Sequence, residues 1–130
     1  MKPHKTENRA RGDLGERAAA RYLRCRFYRI LERNWFFYHK EIDIIARRGD
    51  MLVICEVKTR SHDENSPYGP ASRAVDAQKR HNLLVAAKAY ATRIGWKKSI
   101  RMDVIEVYLT KKKNRIKTSR IVHIKSAFTA

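Results

Sequence analysis

Two short apolar segments, "EIDIIARR" and "MLVICEVKTR", flank the dipeptide Gly49-Asp50, and each carries an acid in its middle. Both are rich in β-branched residues and read as strands bounded by a turn. Gly-Asp suits a two-residue hairpin, with Gly49 supplying a positive φ at the first central position. Arg48 then faces Met51, and counting back from that pair sets Asp43 opposite Glu56 and Glu41 opposite Lys58. Directly opposed side chains share one face, with Cβ atoms about 4.5–5.5 Å apart. Side chains alternate along a strand, so Glu56 and Lys58 share that face as well. Ile42, Ile44, Cys55 and Val57 are expected on the other face, in the core. A slip of one residue would part the two acids, so the arrangement depends on the turn.

Like charges facing each other destabilise a strand pair. An ionised carboxylate among apolar side chains is costly unless it is paired, hydrogen-bonded or bound to a metal. Two readings meet these facts. In one, the face is a solvated ladder of charges with Glu41 and Lys58 an ordinary ion pair, which leaves Asp43 against Glu56 unexplained. In the other, Asp43 and Glu56 hold a divalent cation. Mg²⁺ takes one or two carboxylates from a protein and fills its octahedron with water and phosphate oxygens. Such an ion lowers the pKa of a bound water and polarises a phosphodiester. Lys58, on the same face, would orient that water or stabilise charge developing on the phosphate. The chemistry expected of this face is phosphodiester hydrolysis.

The charge balance agrees with a polyanionic substrate. Thirty Lys and Arg against thirteen Asp and Glu leave a net charge of +17 on 130 residues. Nucleic acid is the commonest partner of such a chain, and phosphate contacts would make binding salt-sensitive. The plainer alternative is a basic protein with no such ligand. No acid follows Glu106, and Lys111, Lys112, Lys113, Arg115, Lys117 and Arg120 crowd one stretch. That stretch is either a phosphate-backbone contact or a solvated loop. His39, His62, His81 and His123 lack metal-ligand spacing, and Cys25 and Cys55 form neither a disulfide framework nor a zinc pattern, so buried thiols are expected. The N-terminus has no apolar leader and no run reaches the roughly 18–20 residues of a membrane span, so a cytoplasmic protein without membrane contact is expected. No Gly-rich phosphate loop, G-x-S-x-G or Cys/His nucleophile set points to small-molecule chemistry.

The length fits one domain. Residues 1–11 read as a flexible basic arm and 12–130 as the domain. "DLGERAAARYLRCR" reads as a helix capped by Asp13, with Glu16 three residues on and a stripe of Leu14, Ala18, Tyr22 and Cys25. "FYRILERNWFFY" is a strand broken near Asn34, followed by the strands 41–47 and 52–59. A polar loop, 61–70, leads to a helix over 72–93, with Val75, Asn82, Val85, Ala86 and Ala89 on one side. "SIRMDVIEVYLT" is a fourth strand, "KKKNRIKTSR" a basic connection and "IVHIK" a short last strand. The order is α-β-β-β-α-β-β. Asp103, within the fourth strand, either supports the acid site from behind or pairs with Arg101 or a Lys, and the pairing is the favoured reading.

D…E-x-K across a hairpin, preceded by a helical Glu, resembles the PD-(D/E)XK nuclease superfamily. "GDLGERAAARYL", "RN", "EIDIIA", "EVKTR", the Lys79 region and "RMDVI" together resemble the YraN-type family of bacterial proteins, itself similar to archaeal Holliday junction resolvases. The resemblance covers roughly residues 12–108. It implies an α/β, restriction endonuclease-like fold, with a central mixed β-sheet flanked by helices. It implies Asp43 and Glu56 as ligands of Mg²⁺, with Mn²⁺ able to substitute, and Lys58 as the catalytic lysine. Glu16 would complete the site at a second ion or its water; without the resemblance it is a capping-box acid. Gln78 and Lys79 match a polar position directed at the site. Ile42 stands where the superfamily has proline, and Lys40 where the family has glycine. The expected activity is a metal-dependent endonuclease acting on DNA, with RNA open and branched or junction DNA favoured; a two-fold junction would favour a homodimer. The alternative is a non-catalytic nucleic-acid-binding protein that keeps the nuclease fold.

Overall fold

The computed structural model describes residues 7–61 and 75–129. Its elements are α1 (Glu7–Cys25), β1 (Arg29–Phe37), β2 (Lys40–Arg48), β3 (Met51–Ser61), α2 (Ala77–Ile94), β4 (Ser99–Lys112) and β5 (Arg115–Phe128). The expected order holds. The strands form one sheet in sequence order, antiparallel throughout except for β3 beside β4. A parallel pair needs a crossover, and α2 lies in it.

The sheet is covered on both faces, which explains why β2, β3 and β4 are apolar almost without alternation. Ile44, Ala46, Val53, Cys55, Ile105 and Val107 face α1, whose Ala19, Ala20 and Leu23 are buried against them. Ile45, Leu52, Ile54, Met102 and Val104 face α2. The buried stripe of α2 is Leu83, Ala86, Ala87, Tyr90 and Ala91. Only Ala86 of the helical stripe read from the sequence belongs to it, because that stripe was centred about one residue, or 100°, away. Asp76 caps α2 by accepting Lys79 N–H at 2.8 Å, and Gly95 ends it at φ 69°.

Other boundaries differ from expectation. The helix begins at Glu7 rather than Asp13, so part of the expected arm is helical and Asp13 is no cap. Cys55 is buried as expected, whereas Cys25, at the last position of α1, is exposed; neither is bonded. β1 continues through Asn34, which takes a left-handed φ of 51° without ending the strand. The expected basic connection is a hairpin: β4 runs on to Lys112, Lys113 and Asn114 turn at φ 50° and 63°, and β5 starts at Arg115. The loop 61–70 and the start expected for α2 lie outside the described residues, apart from Ser61 in β3. No described helix is long and apolar enough to cross a membrane.

Candidate active site

Gly49 adopts φ 58°, and the β2–β3 ladder has the expected register, from Arg48 opposite Met51 to Ile44 opposite Cys55. There it stops. Asp43 and Glu56 are therefore not ladder partners. Instead Asp43 Oδ2 accepts the Val57 N–H at 2.8 Å, so a side chain takes a β3 donor where the ladder would have continued. β2 rolls over at this point: Ile44 faces α1 while Ile42, expected beside it, faces α2. The predicted Glu41–Lys58 pair is lost with the ladder. Glu41 accepts the Asn34 amide at 3.2 Å, and Lys58 turns to Glu56.

The two acids nevertheless meet. Asp43 is half-buried, and burial, then the Glu56 charge, push its carboxyl up to about 8 against the opposing pull of the Val57 N–H. Glu56 is only 4% exposed. Its Oε2 lies 3.6 Å from Lys58 Nζ and 3.4 Å from Lys79 Nζ, while Oε1 is buried with no hydrogen-bond partner. An orphaned carboxylate oxygen beside a second carboxyl is a place for a cation. Lys79, expected to be directed at the site and, as a cation, to meet nucleic acid there, lies against the acids because the Asp76 cap sets the phase of the first turn of α2. Gln78 points elsewhere, to Asn82 at 3.2 Å.

Glu16 reaches the site from the other face of the sheet. It sits inside α1, so it is not a capping acid, and it accepts the Asn34 amide at 2.7 Å. Asn34 Nδ2 therefore bridges Glu16 and Glu41, a link the sequence reading missed, although an Asn inside the aromatic strand "RNWFF" was the available sign. Burial raises the Glu16 carboxyl above its ordinary range despite that bond, and its charge is felt at Asp43. Gly15 allows the approach: a Cβ built there falls on Thr59 Oγ1 and lies 3.2 Å from Thr59 Cβ and Cγ2. Thr is stiff at χ1, so the helix must move instead. Gly15→Ala should cost about 1–3 kcal/mol by overcrowding, and adding Thr59→Ala should restore part of it in urea titrations. Equal costs with and without the second change would dismiss the contact.

The basic stretch stands apart from the acids. Lys58 is level with Glu106 on β4, and Lys111 is five residues further, roughly 16 Å at about 3.3 Å per residue. Lys112, Lys113, Arg115 and Lys117 are exposed around that hairpin tip. Beside Lys58 the sheet holds another acid not anticipated, Glu106, wholly buried and 3.3 Å from Arg60 Nε. Asp103 pairs with Arg101 as read, at 2.9 Å, and His123 is satisfied by it at 2.7 Å.

Among the described residues no group of three or more His, Cys, Asp and Glu side chains is placed to hold a metal ion. The site is a carboxylate pair flanked by two lysines, with Glu16 behind it.

Residues 15–107 match the family described as Uncharacterised protein family UPF0102. The chain is 41% identical over 129 residues to a UPF0102 protein of Acetivibrio thermocellus, covering 96% of this chain and 95% of that one. It is 38% identical over 122 residues to one from Clostridioides difficile, covering 93% and 98%. A third, from Chlorobium chlorochromatii, is 43% identical over 119 residues, covering 90% and 89%. These matches span both helices and the strands that carry Asp43, Glu56 and Lys58, and the chain belongs to the UPF0102 (YraN-type) family.

Proposed function

We propose that the chain is a metal-dependent endonuclease that hydrolyses phosphodiester bonds in DNA, favouring branched or junction substrates, on a restriction endonuclease-like core. The observation that carries the reading is the Asp43–Glu56 pair at the point where β2 leaves β3, with one buried Glu56 oxygen unpartnered. Two carboxylates forced together are stabilised by a divalent ion. The donor set is all hard oxygen, which fits Mg²⁺ or Mn²⁺, and Asp43 and Glu56 would hold it. When bound, the ion supplies Lewis-acid polarisation of the phosphate and an acidified water.

The remaining roles belong to the chain. Lys58 and Lys79 keep two ammonium groups beside Glu56, where they can hold non-bridging phosphate oxygens and neutralise charge as it develops. Glu16, whose charge reaches Asp43, would orient the attacking water or serve a second ion. The +17 charge, including the Lys111–Lys117 hairpin, grips the backbone.

One observation favours a second reading, a nucleic-acid-binding protein without catalysis: Glu56 Oε2 is already paired with two lysines, so its charge is balanced without an ion. End-labelled four-way junctions, flaps, duplex, single strands and structured RNA, incubated with Mg²⁺ or Mn²⁺, separate the two. Cutting that needs the metal and vanishes in Asp43→Ala is the expected result. Salt-sensitive binding by wild type and Asp43→Ala alike, without cutting, would favour the second reading.

A further inference from the structure

The β1–β2 hairpin ends in exposed aromatic side chains beside the acids. Phe36 is 57% and Tyr38 82% exposed. Their neighbours Trp35 and Phe37 turn inward, stacked at 6.4 Å and packed on the α2-side core, so strand alternation sends Phe36 out on the opposite face. Tyr38 and His39 form a two-residue turn closed by Phe37 opposite Lys40, and Tyr38 adopts φ 57°. That conformation suits Gly or Asn and is strained for a bulky residue. Strain of this kind is typical of functional positions. The Tyr38 ring is also posed, edge-on to Phe37 with centroids 4.7 Å apart.

Phe36 faces Glu41 across the ladder, and Glu41 shares the Asn34 amide with Glu16. The hairpin that carries the rings is thus tied to Glu16 through the two hydrogen bonds of the Asn34 amide. The hairpin carries Arg33, His39 and Lys40 between Glu32 and Glu41. Exposed aromatic rings on a chain of net charge +17 are what single-stranded nucleic-acid binders present, because every base has a face to stack. A second copy of the chain fits less well. β1 is an edge strand, but the register shift between Ile30 and Glu32 and the left-handed Asn34 break the straight edge that strand pairing would use.

We propose that Phe36 and Tyr38 form a base-stacking wedge, which takes unpaired bases and sets the adjoining phosphodiester at the Asp43–Glu56 site. Its consequence for cutting rests on the nuclease reading, whereas the stacking itself does not. The wedge would make unpaired or splayed bases, as found at junctions, flaps and loops, the preferred substrate class.

Binding is measured in EDTA, so that nothing is cut, with a fluorescein-labelled single-stranded 15-mer of mixed sequence, its blunt duplex, and a single strand carrying 2-aminopurine. Loss of a stacking ring lowers affinity by about 5- to 150-fold per base. Phe36→Ala/Tyr38→Ala should therefore lose at least about 10-fold on the strand and under about 2-fold on the duplex, and should abolish the stacking quench of 2-aminopurine. Tyr38→Gly should weaken strand binding while raising the melting temperature, which a merely structural ring would not do. Equal losses on strand and duplex, an unchanged quench, no binding of either probe by wild type, or dissociation of a dimer by the ring variants would each overturn the wedge. The two readings also fail separately. Asp43-dependent cutting with unaltered strand preference in the ring variants removes the wedge and leaves the nuclease. Ring-dependent stacking by a wild type that cuts nothing keeps the wedge and removes the nuclease.

Discussion

Asp43→Asn should abolish metal-dependent cutting and, in EDTA above pH 7, leave the fold more stable than wild type. The folded carboxyl keeps its proton up to about pH 8, whereas in an unfolded chain an Asp loses it near 3.9. Between those values the unfolded chain binds fewer protons, so stability falls as pH rises, by at most about 1.4 kcal/mol per pH unit. The penalty is complete above pH 8 and absent below about 4. Asn copies the shape of the protonated acid: its oxygen can still accept the Val57 N–H, and its amide can face Glu56. The mutation thus removes the cost of ionising Asp43 and keeps the bond that ties the end of β2 to β3. Water entry and relaxation reduce the ceiling, and a gain of roughly 1–3 kcal/mol at pH 9 is expected, shrinking towards zero at pH 5. Cutting should fall by more than the roughly 10–100-fold that follows loss of a group merely supporting a metal. Urea titrations of both proteins at pH 5, 7 and 9 measure the first effect. A variant less stable than wild type by the same margin at every pH would show that Asp43 is not a strained carboxyl.

The same residue explains what the sequence disclosed and what it concealed. The hairpin register was legible because Gly49-Asp50 fits a two-residue turn, which alone fixes Arg48 opposite Met51. The convergence of Asp43 and Glu56 followed from it, but the reason given, direct opposition in a ladder, did not survive. Period-two reasoning assumes that backbone bonds continue, and it cannot see a carboxylate replacing one of them. Hence Ile42 was assigned to the wrong face, and Glu41 to the wrong partner. A similar gap hid the β4–β5 hairpin. Beyond Leu109 the strands leave the core, so alternation fades, and Lys113 at φ 50° is a turn residue that propensity would not choose. Lys79 rather than Gln78 reaching Glu56 is a matter of helix phase, settled by the Asp76 cap. Asn34, which joins α1 to β2 at the site, looked like a strand breaker because Asn is rare inside strands and its two acceptors lie far along the chain or on the next strand.

Asp103→Ala should be the most destabilising single change away from the acid site, at about 3–5 kcal/mol, because it leaves buried cationic and polar groups without their partner. Asp103 has no exposed surface. It takes Arg101 Nε on Oδ1 and Nη2 on Oδ2, each at 2.9 Å, His123 Nε2 on Oδ2 at 2.7 Å, and the Ser126 N–H on Oδ1 at 3.0 Å. Arg101 continues to Tyr28 OH at 2.8 Å, and His123 Nδ1 meets Tyr22 OH at 3.3 Å. One carboxylate therefore ties β4 to β5, to the end of α1 and to the link before β1. The register shift of β5 opposite Val104 and Met102, with Ser126 at φ 52°, delivers the Ser126 amide to it. Burial by itself would raise the carboxyl pKa, but the bonds from His123, Arg101 and Ser126 more than offset it and hold the group below its ordinary range. The sign is opposite to that of Asp43: the contribution is present above about pH 4, the unfolded value, and is lost as pH falls through the lower folded one. Asp103→Asn, which can still accept the Ser126 N–H, should cost about half as much as Ala and should lack the acid loss seen in wild type. Because the network anchors α1 through Tyr22, both variants should also loosen the Glu16–Asn34 contact before they unfold, read as faster amide exchange at the start of β2. A cost under about 1 kcal/mol for Asp103→Ala would mean that Arg101 and His123 find water instead, and that α1 is held by its apolar face alone.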